Sequence, residues 1–253
     1  MSELFSLTGK VAAITGCTKG IGFGMTMALA QAGADICLLQ RDVENTQVQK
    51  KVQELGRKCE IVYCDVSLHS SLQDCLERVL KVFPKVDILV NNAGIQKRHK
   101  AEEFPDEDWD LVIQANLKSV FTLSKTFGKY MIENKIKGKI VNTASLMSFQ
   151  GGILVPAYAA AKGGVAQVTK AFANEFAQHG INVNAIAPGY ISTDLTQALE
   201  NDPVRGKDIM ARIPAQRWGK PEDLGGPVVF LASRASDYIH GEILLVDGGW
   251  MGR

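Results

Sequence analysis

Tyr158 and Lys162 stand four positions apart in the stretch Pro156-Ala-Tyr-Ala-Ala-Ala-Lys162. The segment from Ala157 to Gln178 is Ala-rich, contains no proline and has apolar residues at helical spacing, which predicts a helix. Positions four apart share a helix face, so the phenol and the ammonium can converge. A nearby cation lowers the pKa of a phenol from about 10, and such a pair can exchange protons near neutral pH. The same spacing also suits an ordinary lysine beside an amphipathic tyrosine.

Short apolar runs alternate with longer helical patterns and would position this pair. Strands are predicted at Val11–Thr15, Ile36–Leu39, Ile61–Tyr63, Val86–Val90, Lys139–Asn142, Val183–Ile186 and Ile243–Val246. Further helices are predicted at Ile21–Gln31, Val43–Leu55, Leu68–Val82, Asp106–Ile132 and Pro221–Ala232. This alternation predicts an α/β fold, a Rossmann-like doubly wound parallel sheet with helices on both faces. No linker or repeat divides the chain, so residues 1–253 are predicted to form a single domain that binds a dinucleotide and carries the catalytic residues.

A glycine-rich loop, Thr15-Gly16-Cys-Thr-Lys19-Gly20-Ile-Gly22, joins the first strand to the first helix. Glycines permit a tight turn there and let the backbone approach a pyrophosphate, whose charge meets the helix N-terminus. Glycine also serves ordinary turns. The position of this cluster between strand and helix favours nucleotide binding.

The end of the second strand predicts the cofactor. An acidic residue there would bind the adenosine ribose 2′-hydroxyl, whereas an arginine accommodates a 2′-phosphate. The chain has Gln40-Arg41, and Lys19 could reach the same phosphate. These residues favour NADP(H), unless Arg41 and Lys19 are solvated surface charges.

Three further strands end in polar or small residues, and the carboxyl ends of parallel strands meet at the ligand edge of a sheet. Asn91-Asn-Ala-Gly94 follows the fourth strand, Ser145 the fifth, and Pro188-Gly189-Tyr190 the sixth. Taken singly, each also suits a turn or a helix cap.

Composition excludes several classes of function. The chain has 253 residues and a formal net charge of +1, with no charged run that would suit nucleic acid. Its apolar runs are shorter than the ~18 residues of a membrane helix, and its N-terminus shows no secretory signal pattern. Five cysteines without a C-x-x-C pair indicate a cytoplasmic protein, and four scattered histidines predict no metal site.

These motifs together resemble the short-chain dehydrogenase/reductase family over nearly the whole chain. The resemblance rests on Thr15-Gly16-x-x-x-Gly20-x-Gly22, Asn91-Asn92-Ala93-Gly94, Asn116, Ser145, Tyr158-x-x-x-Lys162 and Pro188-Gly189. It implies that Tyr158 is the general acid/base, that Lys162 lowers its pKa and holds the nicotinamide ribose, and that Ser145 binds the reacting oxygen. Asn116 would hold a water through its backbone carbonyl.

The resemblance also implies a set of cofactor-binding residues. They are Gly16, Thr18, Lys19, Gly20, Ile21, Gly22, Arg41, Asp65, Val66, Asn92, Ala93, Gly94, Tyr158, Lys162, Pro188, Gly189, Ile191 and Thr193. A homotetramer is implied too, and the apolar residues Leu244–Val246, Trp250 and Met251 are compatible with burial between subunits.

The second half resembles a sugar-acid group within this family, through Ser148–Tyr158, Ile213–Gly219, Ala235–Tyr238 and Val246–Trp250. That group is usually described as NAD-linked, so NAD(H) is the alternative cofactor. A small-molecule substrate is expected to contact Ser145, Tyr158, Arg98 and Gln150, with the guanidinium of Arg98 suited to a carboxylate. Its neighbours Lys97 and Lys100 suit a solvated loop equally well. The alternatives to a sugar-acid dehydrogenase are a generic carbonyl or 3-ketoacyl reductase of the same fold and a non-catalytic nucleotide-binding protein.

Overall fold

The computed structural model describes residues 3–194 and 196–253, so Met1, Ser2 and Leu195 of the predicted domain lie outside the described residues. The strands are β1 (Val11–Thr15), β2 (Asp35–Gln40), β3 (Cys59–Tyr63), β4 (Ile88–Asn91), β5 (Lys139–Thr143), β6 (Asn182–Pro188) and β7 (Ile243–Val246). In the described residues they form one parallel sheet in the order β3-β2-β1-β4-β5-β6-β7. Successive strands are added toward one edge of the sheet from β1 to β3 and toward the other edge from β4 to β7. Parallel sheets bind ligands at such a switch point, which here lies between β1 and β4.

Helices connect and cover the strands. They are α1 (Gly20–Gln31), α2 (Gln47–Glu54), α3 (His69–Gln73), α4 (Cys75–Leu80), α5 (Asp106–Ile113), α6 (Ser119–Glu133), α7 (Pro156–Phe176), α8 (Gln197–Glu200), α9 (Arg205–Arg212) and α10 (Gly225–Ala232). Short 3₁₀ turns lie at Glu3–Phe5, Ala101–Glu103, Leu146–Ser148, Ala177–His179, Pro221–Leu224, Arg234–Ser236 and Trp250–Gly252.

Both faces of the sheet are buried. Ile14 of β1 packs on one face with Leu29 of α1 and Val228 of α10. Its neighbour Ala13 points to the other face, where Phe127 of α6 lies in a second apolar cluster. Burial on both sides explains why the strand sequences are apolar throughout. The predicted Rossmann-like α/β fold is therefore confirmed.

The helix predicted over Asp106–Ile132 is not continuous. It consists of α5, a π-helical turn at Gln114–Lys118 and α6. The N–H of Ser119 donates to the carbonyl of Gln114, five residues back, which is the bond of a π-turn. Such turns often occur at functional sites. This one contains Asn116.

Two other predicted helices also differ from the structure. The prediction over Leu68–Val82 is divided into α3 and α4, because the backbone at Asp74 leaves the helical range (φ −98°, ψ 7°). The prediction over Val43–Leu55 begins only at Gln47. The Gln40 side-chain amide donates to the carbonyls of Asp42 and Asn45 at 2.6 and 2.9 Å, and these bonds hold the preceding segment as a turn.

The helices α8 and α9 were not predicted. They lie between β6 and α10, and α9 has the sequence RGKDIMAR, in which only Ile209 and Gly206 are buried. Such a short, polar helix has too few apolar residues for its period to show in the sequence.

Candidate active site and cofactor cleft

The loops after β1 and β4 are joined by hydrogen bonds at the point where the sheet reverses. The Thr15 hydroxyl accepts from the backbone N–H groups of Asn92 and Ala93, both at 3.0 Å. The Asn92 side-chain amide donates to the carbonyl of Gly16 at 3.0 Å. Gly16 has φ +64°, and a Cβ there would lie 2.7 Å from the Ala93 Cα, while a Cβ on Gly22 would overlap the Gly16 carbonyl. The predicted glycine cradle therefore requires the absence of side chains.

An open cleft runs along this edge of the sheet. Of the predicted cofactor residues, the cleft is lined by Gly16, Thr18, Lys19, Arg41, Asp65, Val66, Ala93 and Gly94. Gly20, Ile21 and Gly22 begin α1 directly beside it. The cleft reaches from the glycine loop to the end of β2, which matches the path expected of a dinucleotide.

The remaining predicted cofactor residues follow β6. Thr193 approaches the glycine loop, because a Cβ on Gly20 would lie 3.3 Å from its methyl group. Pro188 ends β6, and a Cβ on Gly189 would lie 2.6 Å from the Cα of Asp247. Ile191 lines a separate, smaller pocket beside β7. The structure thus brings Thr193 to the cleft but turns Ile191 away from the part that the other residues line.

At the end of the cleft beyond β2, some side chains are held by contacts within the protein and others are free to bind a ligand. Gln40 is buried and holds its own turn, which leaves the exposed Arg41 as the cation on the cleft wall beyond β2. Lys19 forms an ion pair with Asp194 at 3.4 Å, with about three quarters of each side chain exposed (74% and 77%). Exposed pairs contribute little to stability, so Lys19 can exchange Asp194 for another anion.

Asn116, fully buried in the π-turn, holds the loop that leaves β4. Its side-chain oxygen accepts from the Ile95 N–H at 2.8 Å, and its amide donates to the Ile95 carbonyl at 2.7 Å. A Cβ on Gly94 would lie 2.8 Å from that oxygen. The family resemblance implies a role for the backbone carbonyl of Asn116. Its side chain was missed, and it fixes the cleft wall at Gly94.

Ser145, Tyr158 and Lys162 come together where β5 meets α7. Ser145 starts the 3₁₀ turn Leu146–Ser148 directly after β5, and its hydroxyl accepts from the Met147 N–H at 3.2 Å. Tyr158 and Lys162 share one face of α7, with the ammonium 5.6 Å from the centre of the phenol ring. Ser148 was not predicted as a site residue. Its hydroxyl accepts from the backbone N–H of Ser145 and donates to the Lys162 carbonyl. That bridge ties the serine loop to α7.

Burial governs the proton affinities of this group. Desolvation raises the pKa of Tyr158 above its usual range, and hydrogen bonding with Ser145 acts in the opposite direction. Desolvation also lowers the pKa of Lys162 to about 8. The predicted lowering of the Tyr158 pKa by Lys162 is therefore opposed within the protein, since burial has the larger effect. The Lys162 ammonium donates instead to the Thr143 carbonyl at 2.5 Å.

The predicted basic loop after β4 divides into paired and unpaired cations. Lys97 forms an ion pair with Asp108 at 3.0 Å, and Lys100 pairs with Glu103 at 3.3 Å. Arg98 is exposed and, among the described residues, has no carboxylate within 4.0 Å. Arg98 alone of the three is therefore available for a substrate anion.

Two further contacts define the predicted substrate side. The backbone N–H of His99 donates to the Leu154 carbonyl at 3.1 Å, which joins the Arg98 loop to the segment before Tyr158. The predicted substrate residue Gln150 accepts from the Trp250 indole N–H at 3.3 Å. The sequence is compatible with burial of Trp250 either between subunits or in the core. In the structure Trp250 is only 4% exposed and packs within its own chain.

Comparisons with known proteins agree over the whole length. A family model described as "Enoyl-(Acyl carrier protein) reductase" matches residues 16–251. The 2-dehydro-3-deoxy-D-gluconate 5-dehydrogenase of Pseudoalteromonas atlantica is 53% identical, covering 100% of both chains, and that of Escherichia coli is 51% identical, covering 98% of both. A solved structure from Agrobacterium tumefaciens, named for 2-deoxy-D-gluconate 3-dehydrogenase and containing NADP, is 45% identical with a TM-score of 0.92, covering 100% of both chains.

The buried ammonium of Lys162 makes stability depend on pH in a defined direction. Between pH 8 and 10.5 the unfolded chain binds this proton more strongly than the folded chain, so unfolding becomes harder as pH rises. Relative to Lys162→Met, the wild type should gain up to about 3 kcal/mol across that window, at 1.36 kcal/mol per pH unit. Urea unfolding of both proteins measures this gain. Lys170→Met, on the exposed side of α7, is the control, and its stability should change with pH as that of the wild type does. The prediction would be contradicted if the stability of Lys162→Met also changed with pH in parallel with the wild type.

Proposed function

The chain belongs to the short-chain dehydrogenase/reductase family, and we propose that it transfers a hydride between NADP(H) and a keto or hydroxyl group of a sugar acid such as 2-dehydro-3-deoxy-D-gluconate. The observation that carries the proposal is the grouping of Ser145, Tyr158 and Lys162 at one end of a glycine-cradled cleft. Full-length relatives named for this sugar-acid activity support the choice of substrate class.

The residues of the cleft fit a dinucleotide. The close approach of Gly16 to Ala93 leaves no room for a side chain, which suits a backbone that must contact a pyrophosphate. The bound cofactor would supply the hydride. We assign the 2′-phosphate to Arg41, with Lys19 exchanging Asp194 for the same group. The NADP in the Agrobacterium structure supports this choice. NAD(H) is the alternative.

The protein's part in the reaction is positioning and proton transfer. Tyr158 would donate its proton to the substrate oxygen in reduction and remove it in oxidation. Because burial raises the pKa of Tyr158, the phenol is protonated at neutral pH and ready for reduction. Oxidation needs the phenolate, so it should be favoured as pH rises. Ser145 would hold the reacting oxygen, and Lys162 the nicotinamide ribose.

The substrate would lie between the serine loop and the loop after β4. Arg98 is the unpaired cation there and suits a carboxylate. Gln150, whose oxygen already accepts from Trp250, keeps its amide N–H groups for a sugar hydroxyl. A carrier-protein reductase is the second candidate, since the matching family model carries that description. Turnover assays with a sugar acid and with an acyl thioester distinguish the two.

We also propose a cytoplasmic homotetramer. All five cysteines are free and buried, as expected of a reducing compartment. Phe121 of α6 is 43% exposed and stacks at 5.6 Å on Phe172 of α7, so an apolar surface runs across two neighbouring helices. No helix in the described part of the chain is long and apolar enough to cross a membrane.

Tyr158→Phe removes the proton donor and leaves the cleft intact. Turnover with NADPH should fall at least ~100-fold, the scale of acid–base catalysis. NADPH affinity, followed by its fluorescence, should change little. Tyr63→Phe, at an exposed phenol on the edge strand β3, is the control and should keep full turnover. Near-normal activity of Tyr158→Phe would exclude its catalytic role.

Arg41→Ala removes the proposed phosphate partner. The KM for NADPH should rise about tenfold or more, because a charge-assisted contact is lost, while that for NADH should hardly change. Steady-state kinetics with both cofactors measure the ratio, and Arg234→Ala, an exposed arginine elsewhere, is the control. A wild type that prefers NADH, with both KM values unchanged in Arg41→Ala, would overturn the assignment.

The tetramer proposal predicts a mass close to four times the 27.5 kDa chain in light scattering at micromolar concentration. Phe121→Glu places a charge on the exposed apolar surface and should lower that mass. Tyr63→Glu introduces the same charge on β3 and should not. A monomer mass for the wild type would refute the proposal.

A further inference from the structure

The helix α9 presents two arginines on one face. Arg205 and Arg212 are its first and last residues, and positions seven apart lie on the same side of a helix, ~10 Å apart along its axis. Ile209, between them on nearly the same face, is buried in an apolar cluster with Trp218 and Trp250. The arginine face of α9 therefore borders this aromatic cluster, whereas Lys207 points away from it.

Tyr190 is partly buried and packs against this cluster. Its ring centre is 5.4 Å from that of Trp218 and 4.8 Å from that of Trp250. The guanidinium of Arg212 lies 3.9 Å from the centre of the Trp250 ring. Stacking of this kind fixes the plane of a guanidinium and leaves its N–H groups free at the edge. Trp250 in turn donates to Gln150, so Arg212 rests on a residue that contacts the proposed substrate side.

The positive charges of three arginines from two separate segments act on the Tyr190 phenol. Burial raises the pKa of Tyr190, and the positive charges of Arg205, Arg212 and Arg98 oppose that rise, in this order. Within the described residues none of the three guanidinium groups forms an ion pair within 4.0 Å, although the Asp202 carboxylate accepts from the backbone N–H of Arg205 at 2.8 Å. The Tyr190 hydroxyl has no hydrogen-bond partner among these residues. The guanidinium groups and the phenol can therefore bind a further anion.

The cluster adjoins the proposed reaction centre. Tyr190 follows Pro188-Gly189 at the end of β6, and β6 pairs with β5, which leads to Ser145. Leu146, the residue after Ser145, belongs to the same apolar cluster as Ile209 and Trp250. A substrate whose reacting oxygen is held at Ser145 can therefore direct its other end toward the arginines.

We propose that Arg205 and Arg212 complete, with Arg98, a receptor for the carboxylate of the substrate, and that the Tyr190 hydroxyl donates to the same group. The assignment rests on the proposed function and adds to it the residues that select acids over neutral sugars. Three charges that act on a single half-buried phenol favour a small carboxylate, because a surface that docks an acidic protein spreads its charges over a wider area.

The test compares Arg205→Gln, Arg212→Gln and the double variant with Lys207→Gln, which removes the same charge from the opposite face of α9. The probes are 5-keto-D-gluconate and its uncharged methyl ester, each with NADPH. Loss of one charge-assisted contact should raise the KM for the acid about tenfold in each single variant, with a smaller change in kcat. The KM for the ester should stay within about twofold, and Lys207→Gln should match the wild type with both probes.

A second measurement separates binding from turnover. Intrinsic tryptophan fluorescence should change when D-gluconate is added, because Trp250 lies under Arg212, and both arginine variants should weaken the response. Arg205→Gln leaves the Trp250 stack in place, so it tests the receptor even if Arg212→Gln alters the fold. Binding that depends on the arginines, without turnover of any sugar acid, would overturn the proposed function and support the receptor. Turnover of acid and ester with equal KM, or arginine variants that match Lys207→Gln, would overturn the receptor alone. The receptor would also be overturned if the arginine variants lost activity only with an acyl-carrier-protein substrate.

Discussion

The site depends on how the buried ammonium of Lys162 is accommodated. Within the described residues, the ammonium has one hydrogen-bond acceptor, the Thr143 carbonyl, and it lies beside the Tyr158 ring. Withdrawing a cation from water costs several kcal/mol, and one carbonyl offsets only part of that cost. The part of the desolvation cost that is not offset lowers the pKa of Lys162. Proposed contacts with the nicotinamide ribose would add acceptors, so the arrangement is better satisfied with cofactor than without it.

Thr143 also connects the two ends of the cleft. Thr143 accepts from Lys162 through its backbone, and its hydroxyl donates to the Asn92 side chain at 3.4 Å. Asn92 in turn donates to the Gly16 carbonyl in the glycine loop. A continuous path of hydrogen bonds therefore runs from Lys162 to the proposed pyrophosphate site. Because each link bonds to the end of a strand, the sheet fixes the distance between proton transfer and phosphate binding.

The sequence predicted what is repetitive and local, and it missed what depends on distant pairs. Strands such as β1 are apolar because both of their faces are buried, so their positions could be read directly. The i,i+4 spacing placed Tyr158 and Lys162 on one face, because the geometry of a helix is also local and repetitive. Nothing local indicates that the Asn116 amide binds Ile95, or that Ser148 joins Ser145 to α7, because both depend on tertiary packing. The predicted effect of Lys162 on Tyr158 was incomplete because burial cannot be read from spacing.

The substrate side is built differently from the cofactor side, and this difference bears on specificity. The cofactor loops are anchored to strands in the two large cores, whereas α9 packs through Ile209 on a small cluster with Trp218 and Trp250. Substitutions of the exposed side chains of Arg205 and Arg212 would therefore change the charge beside the proposed substrate site without opening a cavity in either large core. Sites that share no contacts vary nearly independently in their energetic effects. If α9 receives the substrate carboxylate as proposed, one catalytic centre could serve different sugar acids while the charges on this helix change.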